Sequence, residues 1–493
     1  MTPLRRLAGW AGPMLLALLL RLPFLSSRPV WYDEAFSVLL ARRPVPEILA
    51  GTAADTMPPA YYVLLRAWLS LGGGVGAWRL LNVLLGVALV GIVYLLAFEI
   101  FDRRAAIWAG LLAAVSPLLI YQAQELRMYT LLTLALTVYA LCVYRAVASS
   151  TRRALAWWVG AALSGAVAMY SHNLAIFSIV AADVYLALRR DGRGLLRLLA
   201  AQAAMGVLFL PWLVQVPGQV AKIQAAFWTP RPGVLEIVQG IVFLHASLPV
   251  PDPWLPLAVA ASLLALILTV YLLFKSGRPG AGSTYLITLA IVPPSLLFVV
   301  SYLMRPVFVP RAYMLSLVAY LILAGSVVAS ARPRPLAWVV AGAFLVSAAV
   351  GLPPQYSQAT FPRSPFGSMV AELRATQRPG DLILHDNKLS YFPAILYGAD
   401  LKQAFLPDEP GSHNDTLAPA TQLALGLFPS PDAARAVAGA ERVRYVVFQR
   451  ALDEYARTAV GVPPALRWLR DHAVEVGENE FNDLRVIDFD LAP

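Results

Sequence analysis

Apolar residues fall along the chain in long runs separated by short polar connections. Eleven runs have about the length of a membrane-crossing helix, which needs roughly 20 residues. They lie near 7–25, 77–100, 105–121, 128–147, 154–171, 174–189, 195–214, 254–274, 284–303, 312–330 and 336–352. After Pro353-Pro354 the runs stop. Alternating apolar stretches bounded by turn residues predict strands at Asp381–Asp386, Arg444–Phe448 and Leu484–Asp488, with helices around Met369–Ala375 and Thr421–Leu427. The pattern therefore predicts a polytopic α-helical membrane protein of about 11 transmembrane helices over 1–352. A C-terminal soluble α/β domain follows over 353–493.

Two connections are too long for plain links. The segment 26–76 carries Arg42-Arg43-Pro44, Asp55 and Met57-Pro58-Pro59-Ala60-Tyr61-Tyr62, and Val63, Leu64, Ala67 and Trp68 follow at helical spacing. Short helices lying on the membrane surface are expected there. Gly72-Gly73-Gly74 then breaks the chain. The segment 215–253 holds Lys222, Trp228, Arg231 and His245 among apolar residues and has the character of a lid.

Charge sets the orientation. Alternate short connections carry Arg103-Arg104, Arg152-Arg153, Arg189-Arg190 with Arg193, Lys275 with Arg278, and Arg332 with Arg334. Basic short loops stay in the cytoplasm. This predicts a cytoplasmic N-terminus and, with an odd number of spans, an extracytoplasmic C-terminal domain. The N-terminal Arg5-Arg6 and Met14–Leu20 resemble a signal peptide, but no small-x-small site precedes Trp31, so a retained first span is expected.

Composition agrees with a cell-membrane, multi-pass protein. Of 493 residues 59% are hydrophobic and 14% charged, against about a quarter charged in soluble domains. The net charge of +10 comes from short basic pairs rather than a continuous basic surface, so no nucleic-acid partner is expected. The single cysteine, Cys142, excludes an intrachain disulfide.

The unusual polar groups gather in the connections predicted to face outward. Asp33 and Glu34 sit in Trp31-Tyr32-Asp33-Glu34-Ala35-Phe36-Ser37. Adjacent acids favour a helix N-terminus. Beside apolar surface, one can also serve as a general base. Arg21, one turn from the end of the first run, either snorkels to the interface or is a buried partner for an acid or anion. Glu125, Arg127 and Tyr129 occupy the next outer connection; helical spacing would place Glu125 and Tyr129 on one face. Arg127 is either a surface salt-bridge residue or a phosphate ligand, since its planar donors match phosphate oxygens. Arg311 in Val309-Pro310-Arg311-Ala312-Tyr313 has the same potential. His172 stands alone as a hydrogen-bonding residue or, with Asp33 and Glu125, a metal ligand. No motif requires a cofactor; a divalent metal is the one candidate. No P-loop, dinucleotide-binding glycine pattern or HExxH motif is present.

Taken in order, the arginine ending the first run, W-Y-D-E-A-F-S, P-P-A-Y-Y, Q-A-Q-E-L-R-M-Y and V-P-R-A-Y-M resemble one group of enzymes. These are the bacterial members of the family 39 and family 83 membrane glycosyltransferases of the GT-C type. The group includes protein O-mannosyltransferase-like and aminoarabinose-transferase-like enzymes. The resemblance covers about 1 to 350. It implies a polyprenyl-phosphate sugar donor and a lipid, glycan or protein acceptor, with the site at the outer face among membrane lipids. It also implies that Asp33 is the catalytic base, that Glu34 positions it, and that Arg127 and Arg311 contact the donor phosphate. In this chain Ala312 splits the arginine–tyrosine pair usual at the last of these motifs.

Two other classes fit many apolar spans. A transporter or lipid flippase predicts charges at the bilayer midplane and repeated broken helices. A binding scaffold leaves the acids and arginines without a task.

Overall fold

A computed structural model describes residues 9–149, 152–225, 229–275, 277, 279–357, 364–408 and 418–491. Trp228 and Arg278 lie outside the described residues. The chain forms two compact units. One contains residues 1–25 and 56–361, the other 26–55 and 362–493. The segment 26–55 belongs with residues 362–493 rather than with the spans.

The first unit is helical. It comprises α1 (Ala11–Arg21), and then, after the segment 26–55, α4 (Ala60–Leu69), α5 (Val75–Ile100), α6 (Arg103–Val115), α7 (Pro117–Ala123), α8 (Tyr129–Ala148), α9 (Arg152–Ser171), α10 (Ala175–Leu188), α11 (Gly192–Leu213), α12 (Val216–Ala225), α13 (Val234–Ala246), α14 (Leu255–Lys275), α15 (Ala281–Leu303), α16 (Met314–Ser330) and α17 (Arg334–Tyr356). Every one of the eleven apolar runs corresponds to a helix here. Among the described residues, however, eight are long and apolar enough to cross a membrane, and up to nine if α6 and α7 form one bent span. The expected count of eleven falls because α1 and α10 are shorter apolar helices.

Helix α16 lies at the centre. Its apolar stretch is 94% buried inside the protein, whereas that of α11 is 28% buried and presents most of its surface outward. Gly325 lets α16 approach α6 closely: a β-carbon there would lie 2.5 Å from the Ala109 backbone nitrogen. The break between α6 and α7 is a 60° bend. Pro117 has no N–H to donate into the preceding turn.

The loop regions differ from expectation in detail. Helix α4 forms where expected, but its buried face is Tyr61, Tyr62 and Leu65 rather than the Val63, Leu64, Ala67 and Trp68 stripe. The 215–253 segment is not a plain lid. Its α13 packs against α14 and α17, and His245 is buried, bonding Ile241 O at 2.8 Å and the Tyr320 hydroxyl at 3.1 Å.

The second unit contains α2 (Tyr32–Ala41) and α3 (Val45–Ala54), then α18 (Phe366–Ala375), β1 (Asp381–His385), α19 (Lys388–Tyr397), β2 (Gln403–Phe405), α20 (Ala418–Leu425), α21 (Ala433–Ala436), β3 (Arg442–Phe448), α22 (Gln449–Ala456), α23 (Pro464–His472), β4 (Ala473–Phe481) and β5 (Leu484–Leu491). The sheet order is β2-β1-β3-β5-β4. Strands β1, β2 and β3 run parallel, while β5 pairs antiparallel with both β3 and β4. Strand residues alternate between two cores. Leu382, Leu384, Val443, Tyr445 and Phe489 meet Leu466 and Leu469 of α23. Ile383, Val446 and Val486 meet Met369, Val370 and Leu373 of α18.

Helices α2 and α3 pack on this domain. Tyr32 stacks on Phe392 of α19 with ring centroids 5.4 Å apart. The Arg43 guanidinium donates to the Leu425 carbonyl. Gly51 gives α3 room against α20, where a β-carbon would lie 2.8 Å from Ala424 O. Short helices are therefore present in 26–76, and two of them bury apolar faces on protein.

Candidate active site

The turn between α7 and α8 carries two of the candidate residues, Glu125 and Arg127, and leads directly into a third, Tyr129. It is not helical at Glu125, because α8 begins only at Tyr129. The expected helical pairing of Glu125 with Tyr129 therefore does not apply. Instead Asn82, fully buried on α5, holds the turn. Its side-chain amide donates to the carbonyls of Glu125 and Arg127, the latter at 2.9 Å. Gln124 ties the same turn to α1, donating to Arg21 O and Pro23 O, each at 3.0 Å. Glu125 is 2% exposed and Arg127 7%.

Three elements then converge. Tyr129 opens α8, His172 lies in the short link between α9 and α10, and Arg311 sits in a 3-10 turn that leads into α16. The Arg311 guanidinium lies over the Tyr129 ring, 5.4 Å from its centroid. The Tyr129 and His172 rings are 5.9 Å apart. Burial, then the charges of Arg311 and Arg127, push His172 down to about 3. The imidazole is therefore neutral at physiological pH. Its Nδ1 accepts the Leu174 backbone N–H at 3.1 Å, which leaves the ring proton on Nε2. The neighbouring Asn173 amide donates to Thr56 O at 3.1 Å and Gln219 Oε1 at 2.8 Å, fixing this link. The result is two guanidinium groups, a phenol and a neutral imidazole donor grouped together, a set suited to an oxyanion.

Arg21 is placed differently. It is fully buried and donates to Ala114 O at 3.0 Å, Ala113 O at 3.2 Å and its own Ala17 O at 3.1 Å. The Ala113 carbonyl is the one that Pro117 cannot serve. Arg21 thus braces the broken helix, and this geometry gives no support to its reading as an anion ligand or snorkelling side chain.

Asp33 and Glu34 lie in the first turn of α2, in the second unit. The N-cap position is Trp31, and neither acid is the cap residue. Asp33 is half-buried, and its carbonyl accepts the Ser37 hydroxyl at 2.8 Å. Glu34 is fully buried. Among the described residues no three of His, Cys, Asp and Glu group closely enough to hold a metal ion. Of the three residues considered together from sequence, Glu125 and His172 belong to the first unit and Asp33 to the second.

Asn82 and Arg79 were not singled out from sequence, and Gln124 only as part of the outer connection and motif that hold Glu125. Arg79 is fully buried and donates to Leu25 O at 2.8 Å. The signal was present: Arg79 and Asn82 are polar residues at helical spacing inside the apolar run 77–100, and such residues are seldom idle.

These helices and this cluster define a polytopic membrane protein with the fold of the GT-C type glycosyltransferases. A family model described as dolichyl-phosphate-mannose-protein mannosyltransferase matches residues 56–216, a stretch that includes Glu125, Arg127, Tyr129 and His172 and begins after Asp33 and Glu34. The fold is similar to that of ArnT from Cupriavidus metallidurans bound to undecaprenyl phosphate: 15% identity, 98% of this chain and 97% of that one, TM-score 0.61. It is also similar to the Archaeoglobus fulgidus oligosaccharyltransferase in its apo form, at 14% identity over 95% of this chain and 72% of that one, TM-score 0.57. The archaeal oligosaccharyltransferase AglB from the same organism, in complex with an inhibitory peptide and a dolichol-phosphate, gives a TM-score of 0.55 at 14% identity, over 95% of this chain and 72% of that one. No curated protein matches the sequence.

Proposed function

We propose that the protein transfers a sugar from a polyprenyl-phosphate donor to an acceptor hydroxyl or amine at the extracytoplasmic face of the membrane. The observation that carries this reading is the grouping of Arg127, Arg311, Tyr129 and His172 from three separate elements. The family match over 56–216 and the shared fold support it. The acceptor atom attacks the anomeric carbon and the bond from that carbon to the phosphate oxygen breaks. Polyprenyl phosphate leaves with the bonding electrons, with inversion at the anomeric carbon. The two guanidinium groups stabilise the charge that develops on the leaving phosphate. His172 stays neutral and donates through Nε2.

Asp33 is proposed as the base that takes the acceptor's proton, with Glu34 in a positioning role. This rests on the motif resemblance and on the half-buried carboxylate of Asp33. A transporter is not favoured, because Arg127, His172 and Arg311 lie in links between helices rather than in mid-span.

The test is incubation of the purified protein with polyprenyl phosphates carrying different sugars, followed by analysis of the lipid released. Release of free polyprenyl phosphate with the sugar recovered on an acceptor is the expected result. If every donor is recovered intact, or translocated unchanged across a proteoliposome, the enzyme reading fails.

A further inference from the structure

The second unit has its own cavity, of about 470 Å³, within the usual size of small-ligand sites. Its position follows from the sheet. Strand β1 has β2 on one side and β3 on the other, all parallel. The chain leaves β1 toward β2 and later crosses to β3. That reversal opens a crevice at the carboxyl ends of the strands, where open α/β sheets bind ligands. Asp386 and Asn387 directly follow β1, and Asp408 follows β2; all three line the cavity.

The lining excludes the ligand most often found at such a crevice. Nucleotide phosphates need a glycine-rich turn or basic side chains. Among the described residues lining this cavity there is no lysine or arginine, while three carboxylates, Asp386, Asp408 and Asp432, are present. Two of them are fixed in place. The Tyr445 hydroxyl and the Asn387 amide, the latter at 3.4 Å, donate to Asp386. Burial and the Asp386 charge hold the Tyr445 phenol well above its usual range, so it remains the donor. Asp408 is paired with Lys388, both side chains 2% exposed. An ionised carboxylate has about four acceptor sites and can serve several donors at once. Trp468 and Tyr455 add aromatic surface, and Trp468 is braced by His472, stacked at 4.4 Å.

Oriented acceptors beside aromatic rings suit a ligand that is rich in hydroxyl donors, has an apolar C–H face and carries no negative charge. We propose that this cavity is a binding site for a neutral saccharide. The site lies wholly within the second unit and does not rest on the assignment of the transfer reaction.

The experiment is saturation-transfer NMR on the full chain in detergent, with methyl mannoside, methyl glucoside and methyl arabinoside as probes and inorganic phosphate as the anionic control. Saturable transfer to at least one glycoside is expected, undiminished by phosphate as competitor. Trp468→Ala and Asp386→Asn should each weaken it by at least about tenfold. Trp468→Phe should retain most of it, and Arg127→Ala should leave it unchanged. Near-ultraviolet circular dichroism of each variant checks that the second unit is folded. Tyr455→Ala, on a short surface helix, provides a further variant if Trp468→Ala is not. No saturable glycoside signal, competition by phosphate, or a signal lost in Arg127→Ala but kept in the Trp468, Asp386 and Tyr455 variants would each overturn the proposal.

Discussion

The guanidinium of Arg127 can present two parallel donors to a phosphate, whereas an ammonium cannot. Arg127→Lys should therefore weaken binding of a polyprenyl-phosphate sugar, and Arg127→Ala more so, with the protein still folded. Unchanged donor affinity in both would reduce the residue to a structural role. The acids should not be equivalent. Asp33→Asn keeps shape but cannot accept a proton, so turnover should fall by at least roughly 10²–10⁴-fold with donor affinity little changed. Glu34→Gln, at a fully buried position, should do less. Turnover and donor affinity measured side by side decide this; near-normal turnover in Asp33→Asn would remove it as the base. The candidate residues themselves were legible because polar groups are scarce between apolar runs. Their grouping was not legible from spacing: only the motif resemblance brought Arg127 and Arg311 to one phosphate, and it left Tyr129 and His172 apart. Arg127, His172 and Arg311 are far apart in sequence, and nothing in their spacing shows that three links meet. Arg21 could not be assigned from sequence either, since its partners are carbonyls at a helix break almost a hundred residues away.

At the scale of elements, helices were legible from periodicity and their lengths were less so. Helix α1 stops at Arg21, two residues before Pro23, inside a run that looks continuous to Leu25, whereas α10 fills its run of 174–189, which is itself short. Strands β1, β3 and β5 were legible from buried apolar stretches. Strand β4 was not: Glu475, Glu478 and Glu480 make it polar, as suits a sheet edge that must resist pairing with another chain. Strand β2 has three residues, too few for a period. Close helix contact gives a test. Gly325→Val would force α16 away from α6, and overpacking of this kind costs about 1–3 kcal/mol. The thermal midpoint of the detergent-solubilised protein should fall; an unchanged midpoint would mean that the pair relaxes freely. The sheet gives another. His385 on β1 is fully buried between Ser390 and Gln403, and burial pushes it down to about 4. Its unfolded counterpart titrates near 6.5. Between these values the unfolded chain binds the extra proton, so stability is full above about pH 6.5 and falls as pH drops toward 4. The loss is on the order of 3 kcal/mol. Tryptophan-monitored unfolding from pH 7 to 4.5 should show this slope, and His385→Gln should flatten it.

For the whole molecule, the basic connections predict that Arg104 lies in the cytoplasm and the second unit outside. Cys142, the single native cysteine, is 4% exposed, so introduced thiols can be read against a quiet background. Glu475→Cys should react with an impermeant thiol reagent in intact cells whose outer barrier admits it. Arg104→Cys should react only after permeabilisation. The reverse pattern would place Asp33 in the cytoplasm and end the proposed mechanism. The two-part architecture was legible in outline, but the allegiance of 26–55 was not. Ala35, Phe36 and Leu40 would look the same in sequence whether they met lipid or protein. That allegiance also bears on synthesis. The helices at 32–54 leave the ribosome early, while their partners on α19 and α20 begin only at residues 388 and 418. At typical elongation rates of about 5–20 residues per second, this is a delay of roughly 17–70 s. Throughout that interval the nascent chain carries an orphaned apolar hairpin while span after span is still being threaded into the bilayer. Quality control acting on this protein would have its natural checkpoint there, and a premature stop before residue 362 would leave the hairpin permanently unclaimed.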